Sequence, residues 1–215
     1  MRVALIGYGE VGRILAEALV PQGHALTAYD VKLGGEAGNA LREHATKTTV
    51  TLAGSHAAAV QGVELVISAV TASQAVAVAQ AAAPAIDKGA FFIDFNSASP
   101  GAKIRAAGIV NAAGGRYVEG AVMTSIPPYR IRVPLLLGGP HAVALQPLLA
   151  QLGFAAKVAS DKLGVASATK MCRSVMIKGL EAMVIESFTT ARHYGVEDAV
   201  IASLQETFPG VGWEQ

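Results

Sequence analysis

The segment RVALIGYGEVG at residues 2–12 constrains this chain more than any other. Five residues suited to a buried strand run directly into glycines at 7, 9 and 12, and helix formers follow until Pro21 and Gly23 close the segment. In a strand–turn–helix unit each glycine has its own task. Gly7 permits the tight turn, Gly9 lets backbone amides approach a pyrophosphate, and Gly12 allows the helix to pack closely on the strand. The helix N-terminus favours the phosphate charge. The next strand, ALTAYD at 25–30, ends in Asp30, eighteen residues beyond Gly12, where a carboxylate can accept hydrogen bonds from a ribose 2′-hydroxyl. This spacing predicts a dinucleotide site formed by Gly7, Tyr8, Gly9, Glu10, Val11, Gly12 and Asp30. The other reading of Asp30 is a turn-forming aspartate before VKLGG. A carboxylate there repels a 2′-phosphate, and only Lys32 softens that repulsion. NAD is therefore expected, with NADP as the alternative.

Further apolar runs at 63–70, 90–95, 116–122 and 132–138 are mostly separated by alanine-rich, helix-like stretches, and a last strand is expected near 154–158. Alternation of this kind builds βαβ units, whose right-handed crossovers place helices on both faces of a parallel sheet. The expected fold is α/β, a Rossmann-type, doubly wound, mostly parallel sheet followed by a long helix and a partial all-α domain. The PPYR turn at 127–130 makes the sixth and seventh strands antiparallel. From about 163 to 194 neither proline nor a strand signature appears, and Gly195 supplies a stop. A shorter helix is expected at 197–208. The domain reading is a dinucleotide-binding domain at 1–160, then a connecting helix and the start of a helical domain at 161–215.

At 215 residues and 52% hydrophobic, the chain is long enough to bury a substantial core. Seventeen basic and sixteen acidic residues give a net charge of +1, without the basic, aromatic-interleaved surface that nucleic acid or a membrane face requires. One cysteine, Cys172, excludes an internal disulfide, and the five histidines lack metal-site spacing, so no metal is expected. The N-terminal apolar run is too short for a signal sequence, and a cytoplasmic protein is expected.

In ATKMCRSVMIKGLEAM, residues 168–183, helical geometry puts Lys170, Arg173, Ser174, Ile177 and Glu181 on one side and Met171, Cys172, Val175, Met176 and Leu180 on the other. Taken alone, such a stripe is a solvated face, as it remains for Lys178. Cys172 and the methionines Met171, Met176 and Met183 read as packing residues.

With the glycine fingerprint, DFNSASP at 94–100 and Lys170 on a long helix after the sheet, the chain resembles the β-hydroxyacid dehydrogenase family, which includes 3-hydroxyisobutyrate and 6-phosphogluconate dehydrogenases. The resemblance implies that Ala69, Val70 and Thr71 lie against the cofactor ribose and that Asn96 and Ser97 lie near the nicotinamide. It also implies a catalytic lysine at Lys170. An asparagine usually follows that lysine three or four positions later, where this chain has Arg173 and Ser174. The family's Ser-Gly-Gly substrate loop corresponds to Met123, Thr124 and Ser125, and the loss of two glycines alters how closely the backbone approaches a substrate carboxylate. The chain thus looks like a less characterised branch.

The chemistry expected on this resemblance is NAD(P)-dependent hydride transfer to or from a small 3-hydroxy acid, a carboxylate or phosphorylated sugar acid. Lys170 would be the general acid/base and Arg173 a bidentate anion clamp, with Asn96, Thr124, Ser125 and Ser174 orienting the substrate. Imine reduction on the same scaffold and NAD(H) sensing without turnover are the alternatives. A larger helical domain follows the long helix in the family, so the chain reads as truncated. Its apolar helix face predicts a homodimer through the C-terminal helices.

Overall fold

The computed structural model describes residues 1–213. The chain opens with β1 (Arg2–Ile6), α1 (Glu10–Leu19) and β2 (Ala25–Tyr29), followed by α2 (Asn39–Lys47) and a two-residue β3 (Thr51–Leu52). Next come α3 (His56–Val60), β4 (Leu65–Ser68), α4 (Ala75–Ala82), β5 (Phe91–Asp94), α5 (Pro100–Ala112) and β6 (Arg116–Val122). The sheet is completed by the short α6 (Ile126–Tyr129), β7 (Leu135–Gly138), α7 (Ala142–Gln151) and β8 (Ala156–Ser160), before α8 (Val165–Tyr194) and α9 (Glu197–Thr207).

The eight strands lie in the order β3-β2-β1-β4-β5-β6-β7-β8. All neighbours are parallel except β6 and β7, so the expected antiparallel pair is present, with Glu119 opposite Gly138 and Val122 opposite Leu135. The chain order reverses direction across the sheet between β1 and β4. At such a switch point the loops leaving the C-terminal ends of two strands diverge to opposite faces and leave a crevice. Apolar clusters cover each face: Leu5, Leu15, Ile67, Ile93 and Leu137 pack on one, and Ile6, Val66, Phe92, Ala106 and Val110 on the other.

Local chemistry explains several boundaries. At α5, Ser99 accepts a hydrogen bond from the Ala102 amide at 3.3 Å and Pro100 takes the first turn, where its missing N–H costs nothing. Strand β3 escapes sequence reasoning because it pairs only Thr51 and Leu52 with β2. The long helix begins at Val165, two residues later than expected, because Gly164 adopts a left-handed φ of +88° and turns the chain into it.

The chain divides into two compact units, Met1–Met171 and the segment from Cys172 onward. In the second, Gly195 ends α8 with φ +67°, and Arg192 pairs with Glu197 at 3.0 Å. Val175, Met176, Met183 and Ile185 are exposed, as are Cys172 in this unit and Met171 at the end of the first. The expectation that Met171, Cys172, Met176 and Met183 are packed is corrected within this chain: α9 does not cover them, and they are exposed. No helix among the described residues is long and apolar enough to cross a membrane.

Candidate active site

The glycine loop is fixed by close packing. Gly7 has φ +90°, and a Cβ built on it would lie 2.2 Å from the carbonyl oxygen of Ala69 in the loop after β4. A Cβ on Gly12 would lie 2.3 Å from the Gly7 carbonyl oxygen. At Gly9, by contrast, a Cβ would meet nothing within 4 Å. Two glycines thus hold the turn together, while the third keeps clear the space above the N-terminus of α1.

Asp30 closes this end. Its carboxylate accepts from the Tyr8 amide and from the Lys32 amide, both at 2.9 Å, so it is a turn former as well as an acid facing the crevice. Tyr8 itself is buried: its hydroxyl lies 2.9 Å from His44 Nδ1 and 3.3 Å from Thr48 Oγ1. The structure therefore gives Tyr8 a part in shaping the loop and turns its side chain away from the crevice.

Two cavities meet at Ala69, Val70 and Thr71. One, of about 510 Å³, is bounded by Gly7, Gly9, Asp30, Lys32 and His56. The other, of about 500 Å³, is bounded by Glu10, Val11, Asn96, Ser97, Thr124, Ser125 and Lys170. Together they form a groove that runs from Asp30, past the open space at Gly9, to Lys170. The groove suits a dinucleotide: open space at a helix N-terminus sits between a carboxylate and a chamber bordered by an amine.

The chamber's walls are braced by side chains that are themselves buried. Asn96 accepts from the Val70 amide at 2.6 Å, donates to Ser68 Oγ at 3.0 Å, and its own amide donates to Asp94 Oδ1 at 2.8 Å. Its side chain ties the loop after β4 to the loop after β5. Met123 continues the sheet beyond β6 through its amide to the Pro134 carbonyl at 2.9 Å, and Thr124 and Ser125 are exposed at the lip of the chamber. Arg173 and Ser174 belong to the second unit, so the structure brings neither into a described site.

Lys170 Nζ donates to Ser97 Oγ at 2.8 Å. Burial lowers its pKa from the ordinary lysine value, and the charge of Lys103 lowers it further. Lys103 is only 1% exposed; its ammonium lies 2.9 Å from Asp94 Oδ1 and donates to the Asp94 carbonyl at 2.7 Å. The Tyr117 hydroxyl donates to Asp94 Oδ2 at 2.7 Å. Burial pushes Lys103 down against the pull of Asp94, and it pushes the Tyr117 hydroxyl up, with the adjacent carboxylate adding to the effect.

A second buried acid sets the helix that carries Lys170. Glu119, fully buried on β6, accepts from the amides of Gly164 at 2.8 Å, Ala166 at 2.6 Å and Ser167 at 3.2 Å, and from Ser167 Oγ at 3.3 Å. These are the donors a helix N-terminus leaves unpaired, so the carboxylate is both cap and charge complement. Lys170 follows one turn later. Sequence reasoning missed Lys103, Asp94, Tyr117 and Glu119. A signal existed for Lys103, which shares the i, i+3, i+4, i+7 stripe with the buried Ala106, Ala107 and Val110. Among the described residues no group of three or more His, Cys, Asp or Glu is arranged to hold a metal ion.

The comparisons with known proteins agree with the fold. A conserved hypothetical protein from Sinorhizobium meliloti has 39% identity and a TM-score of 0.85, over 99% of this chain and 72% of that one. A conserved protein of unknown function, described as structurally similar to 3-hydroxyacid dehydrogenases, has 29% identity and a TM-score of 0.81, over 98% of this chain and 77% of that one. An uncharacterized 28.5 kDa protein from Methanothermus fervidus is 29% identical over 96% of this chain and 77% of its own length. At lower identity the fold is shared with a Mycobacterium tuberculosis 3-hydroxyisobutyrate dehydrogenase, at 16% identity and a TM-score of 0.80, over 95% of this chain and 70% of that one. It is also shared with an imine reductase from Myxococcus stipitatus, at 18% identity and a TM-score of 0.78, over 98% of this chain and 74% of that one. Residues 2–154 match the family described as the NAD binding domain of 6-phosphogluconate dehydrogenase, and the chain belongs to that family.

Proposed function

We infer that the chain is a nicotinamide-dependent oxidoreductase acting on a small 3-hydroxy acid, with Lys170 as its general acid/base. One observation carries this reading: Lys170, which borders the chamber, is half-buried, held by Ser97, and has its pKa lowered by burial and by a second lysine. A lysine on a solvated face would have none of these properties. The nicotinamide, when bound, supplies the hydride acceptor or donor for the carbon that bears the hydroxyl. In the oxidative direction neutral Lys170 takes the hydroxyl proton as the carbonyl forms. In the reverse direction its ammonium gives the proton to the oxygen.

Asn96 maintains the chamber by bracing its two loops, and the Thr124 and Ser125 hydroxyls at the lip are the substrate's first polar contacts. Arg173 and Ser174, on the turn of α8 after Lys170, are assigned to the substrate's anionic group. Asp30 favours NAD, since its carboxylate opposes a 2′-phosphate. The exposed apolar face of α8 supports a homodimer in which a second copy covers it.

The test is a substrate panel of 3-hydroxy acids and cyclic imines, followed by NADH absorbance at saturating cofactor. Turnover of a hydroxy acid that falls about 10²–10⁴-fold in Lys170→Ala, with NADH affinity nearly unchanged, is the expected result. Turnover of imines alone reassigns the substrate. NADH binding without turnover of any compound makes the chain a sensor, and an active alanine variant returns Lys170 to a structural role.

A further inference from the structure

The cavity at Asp30 is bordered by a further titratable side chain that the sequence did not single out. His56 opens α3, immediately after Ser55, whose hydroxyl caps the helix by accepting from the Ala58 amide at 3.1 Å. Its ring meets Tyr29 edge to face, with centroids 4.6 Å apart, and Tyr29 directly precedes Asp30. His56, Asp30 and Lys32 border the same cavity. Among the described residues, the elements packed on α3 bring no other charge to this place: β2, α4 and the turn at 83–85 carry no charged residue, and Arg2, at the start of β1, reaches Gly62 instead.

Burial lowers the His56 pKa from the ordinary histidine value, and the Asp30 carboxylate opposes this without overcoming it. Burial thus favours the neutral ring, and Lys32 is the other basic side chain that borders the cavity. A dianionic group entering beside Asp30 would reverse the balance, since it favours the protonated ring.

We propose that His56 is a specificity-determining residue of the cofactor site: neutral, it leaves Asp30 to exclude a 2′-phosphate, and protonated, it joins Lys32 in holding one. This rests on the reading of Asp30 as the acid that faces the adenosine ribose. Its thermodynamic corollary is that binding of NADP, but not of NAD, draws a proton onto the protein.

The test is isothermal titration calorimetry of NAD and NADP, without substrate, at pH 8.0 and pH 5.5. The oxidised cofactors are used because they survive acid. In the wild type the preference for NAD should shrink about tenfold or more on going to pH 5.5, the equivalent of roughly one pKa unit of differential interaction. In His56→Gln the change should fall to what the ligand's own 2′-phosphate titration contributes. His56→Arg, which keeps a charge at both pH values, should bind NADP with little loss at pH 8.0. Titrations at pH 7.0 in two buffers of different ionisation enthalpy should show more proton uptake with NADP in the wild type than in His56→Gln. An equal pH dependence in wild type and His56→Gln overturns the role of His56 while leaving Asp30 in place. A wild type that binds NADP more tightly than NAD at pH 8.0 overturns the reading of Asp30 itself.

Discussion

The two ends of the groove are built from different materials. At the glycine loop the polar surface is backbone: amides around Gly9, a carboxylate that spends part of its capacity on the Tyr8 and Lys32 amides, and space kept open by the absence of side chains. At the Lys170 end it rests on buried ions, with Lys103, Asp94 and Glu119 each at most 1% exposed. Backbone amides are available wherever a helix starts, so the first arrangement needs little beyond small residues at three positions. Buried ions carry a desolvation cost that only a complete set of partners offsets. The Lys170 end is consequently the more brittle of the two, and also the end where one charge can tune another.

The sharpest way to break this contrast is to remove one buried ion. Lys103→Met leaves Asp94 with the Tyr117 hydroxyl and the Asn96 amide but no cation, and should lower the stability of the folded chain by about 3–5 kcal/mol, read as a drop in the urea midpoint at unchanged slope. A loss below about 1 kcal/mol would mean that solvent or neighbouring groups compensate, and the two ends would then be alike.

The glycine loop offers an internal control of smaller size. Gly7→Ala forces a positive φ, at about 1–3 kcal/mol for the conformation alone, and pushes a methyl group into the Ala69 carbonyl. Gly9→Ala meets open space and should change stability by less than about 1 kcal/mol, yet weaken NAD binding roughly tenfold by filling the approach to the α1 amides. If thermal melts and NAD titrations show the two variants behaving alike, the division between turn-making and space-keeping glycines is wrong.

The smallest effect is a displacement of a pH profile. With the pKa of Lys170 lowered by burial and by Lys103, the neutral amine that the proposed oxidation needs accumulates below the ordinary lysine range. The oxidative rate should therefore rise with pH and level off before pH 10.4, the free-lysine value; the reductive rate, which needs the ammonium, should fall over the same interval. A rise centred on the ordinary lysine value would show that the buried charge does not reach Lys170.

This difference in material also decides what could be read in advance. The Gly7–Gly9–Gly12 spacing and Asp30 are local constraints, each imposed by residues close in sequence, and they are visible without knowing the fold. The alternation of apolar runs likewise points to the mostly parallel sheet, and the PPYR turn to the antiparallel pair. Glu119 and Ala166 are 47 residues apart, and Asp94 and Tyr117 are 23 apart, so their partnerships exist only once the sheet has formed. In a strand as buried as β6, moreover, a lone glutamate in RYVEGAV carries no sign of what will surround it. His56 was invisible for the same reason: the turn before α3 reaches Asp30 only through the pairing of β3 with β2. The apolar stripe of α8 was legible as a pattern, but its exposure was not.

One consequence of the antiparallel pair concerns how such a chain can change over generations. Glu119 lies opposite Gly138, and a Cβ at position 138 would sit 2.5 Å from Glu119 Oε1. The carboxylate that caps α8 therefore occupies the volume that any other residue at 138 would need. A lineage cannot enlarge residue 138 while it keeps this glutamate, and a shorter acid at 119 would have to reach the Gly164 and Ala166 amides from farther away. The two positions are tied as one heritable unit, and the freedom to vary lies instead at exposed positions such as Thr124 and Ser125, which can change without disturbing the anchor of the helix.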